Sequence, residues 1–166
     1  MSEPEPPHPD RLAPEREMLF SFLDFYRSVM IRKVEGVDRD GLRMSPVESG
    51  TSLGGLIKHL AYVERSWFQR VWAAREVEFP WADEDPDADF RLDADEDADV
   101  LIEFYRQECD ASRAIAAASH LDDTVETPRG KQLSLRWLMV HMIEETARHA
   151  GHADLLREMI DGSVGD

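Results

Sequence analysis

Cysteine is nearly absent, since Cys109 is the only thiol in the 166-residue chain. A single cysteine cannot form an internal disulfide, and it excludes every zinc site that takes two or more cysteine ligands from one chain. This usage is typical of a reducing compartment, so we expect a cytoplasmic protein.

Basic residues and long apolar runs are also scarce. The chain has 19 Lys and Arg against 35 Asp and Glu, for a formal net charge of −16. Nucleic acids and anionic membrane surfaces attract clustered cations, so we expect neither as a partner. No run approaches the roughly 18 apolar residues that span a bilayer. Residues 1–14 are acidic and rich in proline, unlike the basic start of a secretory leader.

What the sequence does contain is helical periodicity. Five prolines in residues 1–14 predict a flexible arm, and the rest of the chain, 15–166, is predicted as one domain. Apolar residues then recur at spacings of three and four in four segments. No segment alternates like a strand, so we expect an all-α four-helix bundle. The predicted helices run from Glu15 to about residue 35, from 53 to 75, from 96 to 119 and from 135 to about 160.

Three connections separate these helices. Residues 40–52 and 120–133 read as turns, with Thr51 or Ser52 and then Ser134 as helix caps. Residues 76–95 form a long acidic connection between helices two and three. Four acids there fit positions 1, 3, 5 and 12 of a calcium loop, but Phe90 stands where that loop needs glycine. We therefore predict a solvated acidic connection rather than a calcium site; the four acids are Asp85, Asp87, Asp89 and Glu96.

Two polar residues interrupt the apolar stripe of helix four. Glu145 and His149 are four residues apart on the same face as Leu138 and Met142, where a lone carboxylate is costly unless it is paired, protonated or bound to a metal. His59 lies at the edge of the stripe of helix two. In a bundle, side chains of facing helices meet in the interior. Two imidazoles and a carboxylate suit Zn²⁺, Ni²⁺ or Fe²⁺ and leave a coordination position open.

Two further histidines lie near this predicted cluster. His152 follows His149 by three residues and His141 precedes Glu145 by four. Each is either a partner of the ligands, or a proton acceptor, or simply an exposed polar side chain. Gly54 and Gly55 at the start of helix two allow either a ligand to approach the backbone or a neighbouring helix to pack closely.

The remaining unusual residues are predicted to be structural. The spacing of Trp67, Trp72 and Trp137 favours core positions over substrate stacking. Cys109 has no basic or imidazole neighbour close in sequence, so we predict a buried thiol rather than a nucleophile.

Two segments carry a resemblance to a known family. Residues 49–68 (SGTSLGGLIKHLAYVERSWF) and 134–162 (SLRWLMVHMIEETARHAGHADLLREMIDG) resemble the DinB superfamily of four-helix metalloproteins. They are most similar to the branch of mycothiol-dependent maleylpyruvate isomerases and mycothiol S-transferases. The resemblance implies one metal ligand from helix two and two from helix four, which are His59, Glu145 and His149. Many members have histidine at the position of Glu145, whereas the mycothiol-dependent branch has glutamate there.

The resemblance also implies a class of reaction. A divalent ion, with zinc expected first and nickel or iron as alternatives, would activate a low-molecular-weight thiol such as mycothiol. The thiol would then attack a small electrophile, giving S-transfer or isomerisation. Two other interpretations stay open. One is a non-catalytic metal-binding bundle, such as a stress-response protein, and the other is a helical module that forms a homodimer.

Overall fold

Four long helices build the protein, as the sequence predicts, and a fifth short helix lies between the first two. The structure is a computed structural model that describes residues 7–164. Residues 1–6 of the predicted arm lie outside that range, while residues 7–14 form no helix or strand. The helices are α1 (Glu15–Val34), α2 (Arg39–Arg43), α3 (Leu53–Glu64), α4 (Ala98–Ala117) and α5 (Leu135–Asp161).

Side chains at the helix ends explain most of these boundaries. Ser52 accepts a hydrogen bond from the Gly55 amide at the start of α3, and Ser134 accepts one from the Trp137 amide at the start of α5. Such caps satisfy amides that have no partner inside the helix. At the other end of α5, Gly162 has a φ of +77°, a left-handed conformation that glycine adopts without steric cost.

The second predicted helix departs from the prediction after Glu64. It continues as a π-helix over Arg65–Trp72 and ends there rather than at residue 75. Ala73 donates its amide hydrogen bond to the Phe68 carbonyl, five residues back, and Ala74 has a φ of +51°. A π-helical segment inserts an extra residue into the helical turn. A period of 3.6 in apolar residues cannot reveal it.

The prediction of a protein without strands was wrong in one place. Two three-residue strands, β1 (Thr124–Glu126) and β2 (Gln132–Ser134), pair antiparallel within the predicted turn. Val125 lies opposite Leu133, which is buried against the bundle. Strands this short place only Val125 and Leu133 against the core, so no alternating pattern appears in the sequence. Residues 39–43, which overlap the predicted turn at 40–52, form α2, which Asp38 caps.

The core consists of two apolar clusters separated by a polar layer. α1 packs mainly against α5, and α3 mainly against α4. One apolar cluster includes Met30, Leu60 and Ala150, and the other includes Leu23, Phe68 and Met142. Between these residues, each long helix contributes one buried polar side chain: Arg27, Glu64, Ser112 and Thr146. Arg27 and Glu64 form a bidentate ion pair across this layer, at 2.8 and 2.7 Å.

No helix within residues 7–164 is long and apolar enough to cross a membrane.

Candidate metal centre

Three side chains of metal-ligand type meet between α3 and α5, where the sequence predicts them. Ligand atoms of His59, Glu145 and His149 all lie within 4.8 Å of one another. Glu145 Oε1 is 3.6 Å from His59 Nε2 and 3.2 Å from His149 Nε2. No other group of three such residues among positions 7–164 comes together in this way.

Two of the three separations in this cluster match what a tetrahedral ion requires. Bonds of about 2.0–2.2 Å place two ligand atoms of a tetrahedral ion about 3.3–3.6 Å apart. The two separations from Glu145, 3.2 and 3.6 Å, bracket that interval closely. The donors are two imidazole nitrogens and a carboxylate oxygen, so the residues present fit a zinc-like ion with at least one position left for a ligand from outside the protein.

A fourth residue, Asp89, fixes the orientation of the His59 ring. Asp89 Oδ2 is 2.7 Å from His59 Nδ1, and the Asp89 side chain is buried. The Phe90 ring stacks on the His59 ring, with the two ring centroids 4.1 Å apart. A carboxylate at this distance takes the proton-bearing Nδ1 as its donor. Nε2 is then the ring nitrogen that faces Glu145, and it is the atom that a metal ion would use.

Asp89 belongs to the acidic connection, and two glycines let that connection reach α3. A Cβ atom on Gly55 would lie 2.4 Å from the Phe90 carbonyl oxygen, and one on Gly54 would lie 2.6 Å from Leu92 Cδ1. Close packing therefore explains this pair, but the part of the chain that comes closest is the acidic connection and not one of the long helices. A short 3₁₀ turn, Ala88–Phe90, then presents the carboxylate to His59.

Lys58 anchors the same connection beside the ligand. Its ammonium group donates to the Arg91 carbonyl at 2.8 Å and to Glu96 Oε2 at 2.8 Å. A further bond reaches Asp93 at 3.2 Å. The segment that carries Asp89 is thus attached to α3 at two positions that precede His59, Gly55 and Lys58.

The electrostatics of the cluster favour a cation. Hydrogen bonds from His149 and His59 hold the pKa of the Glu145 carboxyl well below its usual range, so the carboxylate is ionised. Burial alone would lower the pKa of His59, but hydrogen bonds to Asp89 and Glu145 outweigh it and raise that pKa. Two carboxylates face two imidazoles in a recess where the three ligand side chains are only 13–17% exposed.

The two additional histidines occupy different positions. His152 is exposed, and its Nδ1 lies 3.4 Å from Nδ1 of His149, so it adjoins a proposed ligand. His141 stacks on Trp137, at a centroid separation of 5.0 Å, and meets Trp67 edge-on at 4.8 Å. Burial is the main cause of a lowered pKa for His141. Their predicted roles as partners or proton acceptors stay predictions.

The tryptophans and Cys109 follow the sequence prediction only in part. Trp72 is buried, and its indole donates to Ser119 at 3.0 Å. Trp137, predicted as core, is 50% exposed and packs against Trp67 on the surface. Cys109 is buried, and burial raises the pKa of its thiol far above the usual range, which matches the prediction of an unreactive residue.

Three of the four acids of the rejected calcium loop bind separate partners, and the fourth, Asp87, is exposed. Asp85 pairs with Arg91, Asp89 with His59, and Glu96 with Lys58. They do not converge on one point, so nothing among them supports calcium. Asp89 is the site residue that sequence reasoning missed. The only signal was Phe90, an apolar residue placed directly after it within an acidic stretch.

Comparisons with known proteins address the family. A crystal structure described as that of "the conserved protein of locus from Enterococcus faecalis" superposes with a TM-score of 0.65. It shares 14% identity, over 89% of this chain and 97% of that one, which shows a common fold only. No curated protein matches this sequence. Residues 18–162 match the family model described as Mycothiol-S-transferase, which covers most of the chain and includes His59, Glu145 and His149. The resemblance to DinB-like proteins is therefore confirmed, and the chain belongs to the mycothiol S-transferase family.

Proposed function

We propose that this protein is a divalent-metal-dependent transferase that activates a low-molecular-weight thiol for attack on an electrophile. Mycothiol is the thiol that we expect. The observation that carries the proposal is the convergence of His59, Glu145 and His149 from two helices at separations suited to one ion. The family match supports the thiol, because its description names mycothiol.

Zinc is the ion we expect at this site. Its usual catalytic sites have three protein ligands, drawn from His and Glu among others, and an open fourth position. Nickel and ferrous iron accept the same donors, so the test below includes all three ions.

A bound divalent ion would supply positive charge that lowers the pKa of a coordinating thiol, which is about 8.5 when free. The protein's residues prepare that effect. The three ligands carry one negative charge in total, so the loaded site keeps a net positive charge that favours an anionic sulfur. Asp89 holds the His59 ring in the required tautomer. The partly buried position of the ligands limits screening by water.

The transfer itself balances simply. The S–H proton passes to a base, for which the adjoining His152 is the proposed acceptor, and the thiolate sulfur forms a bond to the electrophilic carbon. The leaving group departs with the pair of electrons from its bond to that carbon. If the electrophile has an activated double bond instead, addition of the thiol and its later elimination would give isomerisation.

Metal analysis of matched variants tests the proposal. Glu145→Gln removes the ligand charge, and Glu144→Gln changes its exposed neighbour on the same helix. We expect about one equivalent of metal in the wild type and in Glu144→Gln, and an affinity at least about a hundredfold lower in Glu145→Gln. Circular dichroism checks that each variant is folded.

Activity assays then separate the remaining interpretations. With mycothiol and 1-chloro-2,4-dinitrobenzene, we expect metal-dependent conjugation that Glu145→Gln abolishes. Stoichiometric metal without conjugation of any electrophile in a panel would leave the non-catalytic metal-binding bundle. If purified protein holds no metal and Glu145→Gln behaves as the wild type, only a helical module remains, and sedimentation would then show whether it is a homodimer.

A further inference from the structure

A large cavity lies beyond the metal-ligand cluster, near the β-hairpin. It has a volume of about 880 Å³ and lies between the π-helical segment, the hairpin loop and the first turn of α5. Pockets that bind small organic molecules commonly measure about 300–1,000 Å³. The cluster and the cavity share no lining residue, so the proposed metal centre does not account for it.

The charge of this cavity is opposite to that of the protein. Arg70, Arg129 and Lys131 line it, and no aspartate or glutamate does. Such a local excess of cations is unexpected in a chain with 35 acids and 19 bases. Among residues 7–164 none of the three forms an ion pair, and the Arg70 guanidinium lies over the Phe79 ring at 5.5 Å. Three cations without a carboxylate partner make the cavity attractive to an anion.

An aromatic wall accompanies these cations. Trp67 and Trp137 both line the cavity, with ring centroids 5.8 Å apart. Trp137 is 50% exposed, so much of its ring is accessible to a ligand. Val71 and Leu133 add aliphatic surface. The combination of flat aromatic rings and aliphatic side chains suits a ligand with an apolar body, and the cations suit a negatively charged group attached to that body.

The cavity lies on the same helices as the cluster, at a distance that one substrate can bridge. Trp67 follows His59 by eight residues, and Trp137 precedes Glu145 by eight. At an α-helical rise of about 1.5 Å per residue, the separation of Trp137 from Glu145 is about 12 Å along α5. His141, halfway along α5 between Trp137 and Glu145, contacts both tryptophan rings. The aromatic wall therefore extends from the cavity toward the cluster.

We propose that the cavity binds the acceptor substrate and that this acceptor is an apolar organic anion. Its carboxylate or sulfonate would contact Arg70, Arg129 and Lys131, and its apolar body would lie along Trp67 and Trp137 toward the thiol site. The assignment as acceptor rests on the proposed transferase function, whereas the binding of an apolar anion does not. The thiol sulfur forms the new bond to carbon, and the leaving group takes the electron pair of the broken bond.

Binding is tested with two probes that share one ring system. 8-Anilinonaphthalene-1-sulfonate is anionic, and N-phenyl-1-naphthylamine is its neutral counterpart. Fluorescence titration is carried out on metal-loaded and on metal-free protein. In the double variant Arg129→Gln with Lys131→Gln, we expect the sulfonate to bind about tenfold more weakly, whereas the neutral probe changes by less than about twofold.

Two controls accompany this variant. Arg11→Gln with Arg39→Gln removes the same charge from exposed positions elsewhere, and it should leave both probes within about twofold of the wild type. Trp137→Ala should weaken both probes, because it removes apolar surface that they share. If the hairpin double variant binds the sulfonate as tightly as the wild type, or if the control weakens it equally, the cavity is not the anion site.

A pair of substrates tests the role as acceptor site. With mycothiol as the thiol, 4-(4-chloro-3-nitrobenzoyl)benzoate, whose two rings separate the carboxylate from the reacting carbon, is compared with 4-chloro-3-nitrobenzophenone, which lacks the carboxylate. The hairpin double variant should lower kcat/KM about tenfold for the carboxylate alone. A higher KM for mycothiol with unchanged kcat/KM for both acceptors would assign the cavity to the thiol and overturn the proposal. If the wild type binds no metal but the double variant still weakens binding of the sulfonate, only the transferase function is refuted.

Discussion

His59 Nδ1 lies 2.7 Å from Asp89 Oδ2, although the two residues are thirty positions apart and belong to a helix and a loop. This contact decides which ring nitrogen of His59 faces α5. Because the Nδ1 proton is held by a buried carboxylate, Nε2 is the atom available beside Glu145. The loop thus completes a site that two helices begin.

The first prediction concerns Asp89 directly. Replacing it with asparagine removes the negative charge that holds the Nδ1 proton, so the His59 ring loses its fixed tautomer. We expect Asp89→Asn to lower zinc affinity by about ten- to a hundredfold. Competition with a chromophoric chelator measures the affinity.

Asp87→Asn is the matched control, since Asp87 is exposed and lies two residues away in the same loop. Its zinc affinity should equal that of the wild type. Equal affinities for both variants and the wild type would contradict an orienting role for Asp89.

The second prediction concerns the glycine that lets this loop approach. A methyl group at Gly55 would lie 2.4 Å from the Phe90 carbonyl oxygen, so Gly55→Ala must displace the loop. We expect a loss of about 1–3 kcal/mol in the free energy of unfolding, measured in urea. Zinc affinity should fall as well, because Phe90 and Asp89 move together.

Gly151→Ala is the matched control, and it should raise the free energy of unfolding instead of lowering it. Nothing lies within 4 Å of a Cβ atom at Gly151, in the middle of α5. A helical glycine with free space should give a gain of about 0.5–1 kcal/mol when replaced by alanine. A Gly55→Ala protein as stable as Gly151→Ala would show that the loop does not depend on the close approach.

The meeting of His59, Glu145 and His149 could be predicted from the sequence because these residues break a regular pattern. Glu145 and His149 are polar residues on an apolar stripe with a period of 3.6, and His59 lies at the edge of another. Helix boundaries at Ser52, Ser134 and Gly162 follow from capping residues that act within a few positions. Both kinds of signal are local, so they can be detected without knowing the fold.

The missed features depend on contacts between distant segments. Asp89 gains its role only when the loop folds onto α3, and eight other acids in residues 76–95 share its chemistry without sharing its position. The π-helix begins beside Glu64, whose carboxylate is held by Arg27 from another helix. The hairpin depends on the burial of Leu133. None of these contacts leaves a period in the sequence.

The third prediction concerns Cys109. Its thiol is 1% exposed, and burial, reinforced by the charge of Glu64, raises its pKa. The thiol is therefore protonated and inaccessible at pH 8. Ellman's reagent should react with native protein at least about a thousandfold more slowly than with protein unfolded in guanidinium chloride.

Conjugation of mycothiol should survive Cys109→Ala, because the transferred sulfur comes from the small thiol. Fast labelling of native protein, or loss of conjugation in a folded Cys109→Ala variant, would instead point to a cysteine that takes part in the reaction.

The last prediction concerns the ion pair in the polar layer. Arg27 and Glu64 are almost completely buried, and two hydrogen bonds of 2.8 and 2.7 Å join them. Glu64→Gln removes the more deeply buried carboxylate and leaves Arg27 with Asp24, 2.8 Å away, as its remaining partner. It should therefore cost about 1–3 kcal/mol in the free energy of unfolding. Asp161→Asn, at an exposed ion pair with Arg157, should cost less than about 1 kcal/mol.

Replacing both buried partners, as Arg27→Met with Glu64→Leu, should recover most of the loss, because an apolar pair needs no desolvated charge. Guanidinium titrations of the four proteins give the comparison. If the double variant is no more stable than Glu64→Gln, the polar layer supports the packing of the π-helical segment through its geometry and not merely through compensation of charge.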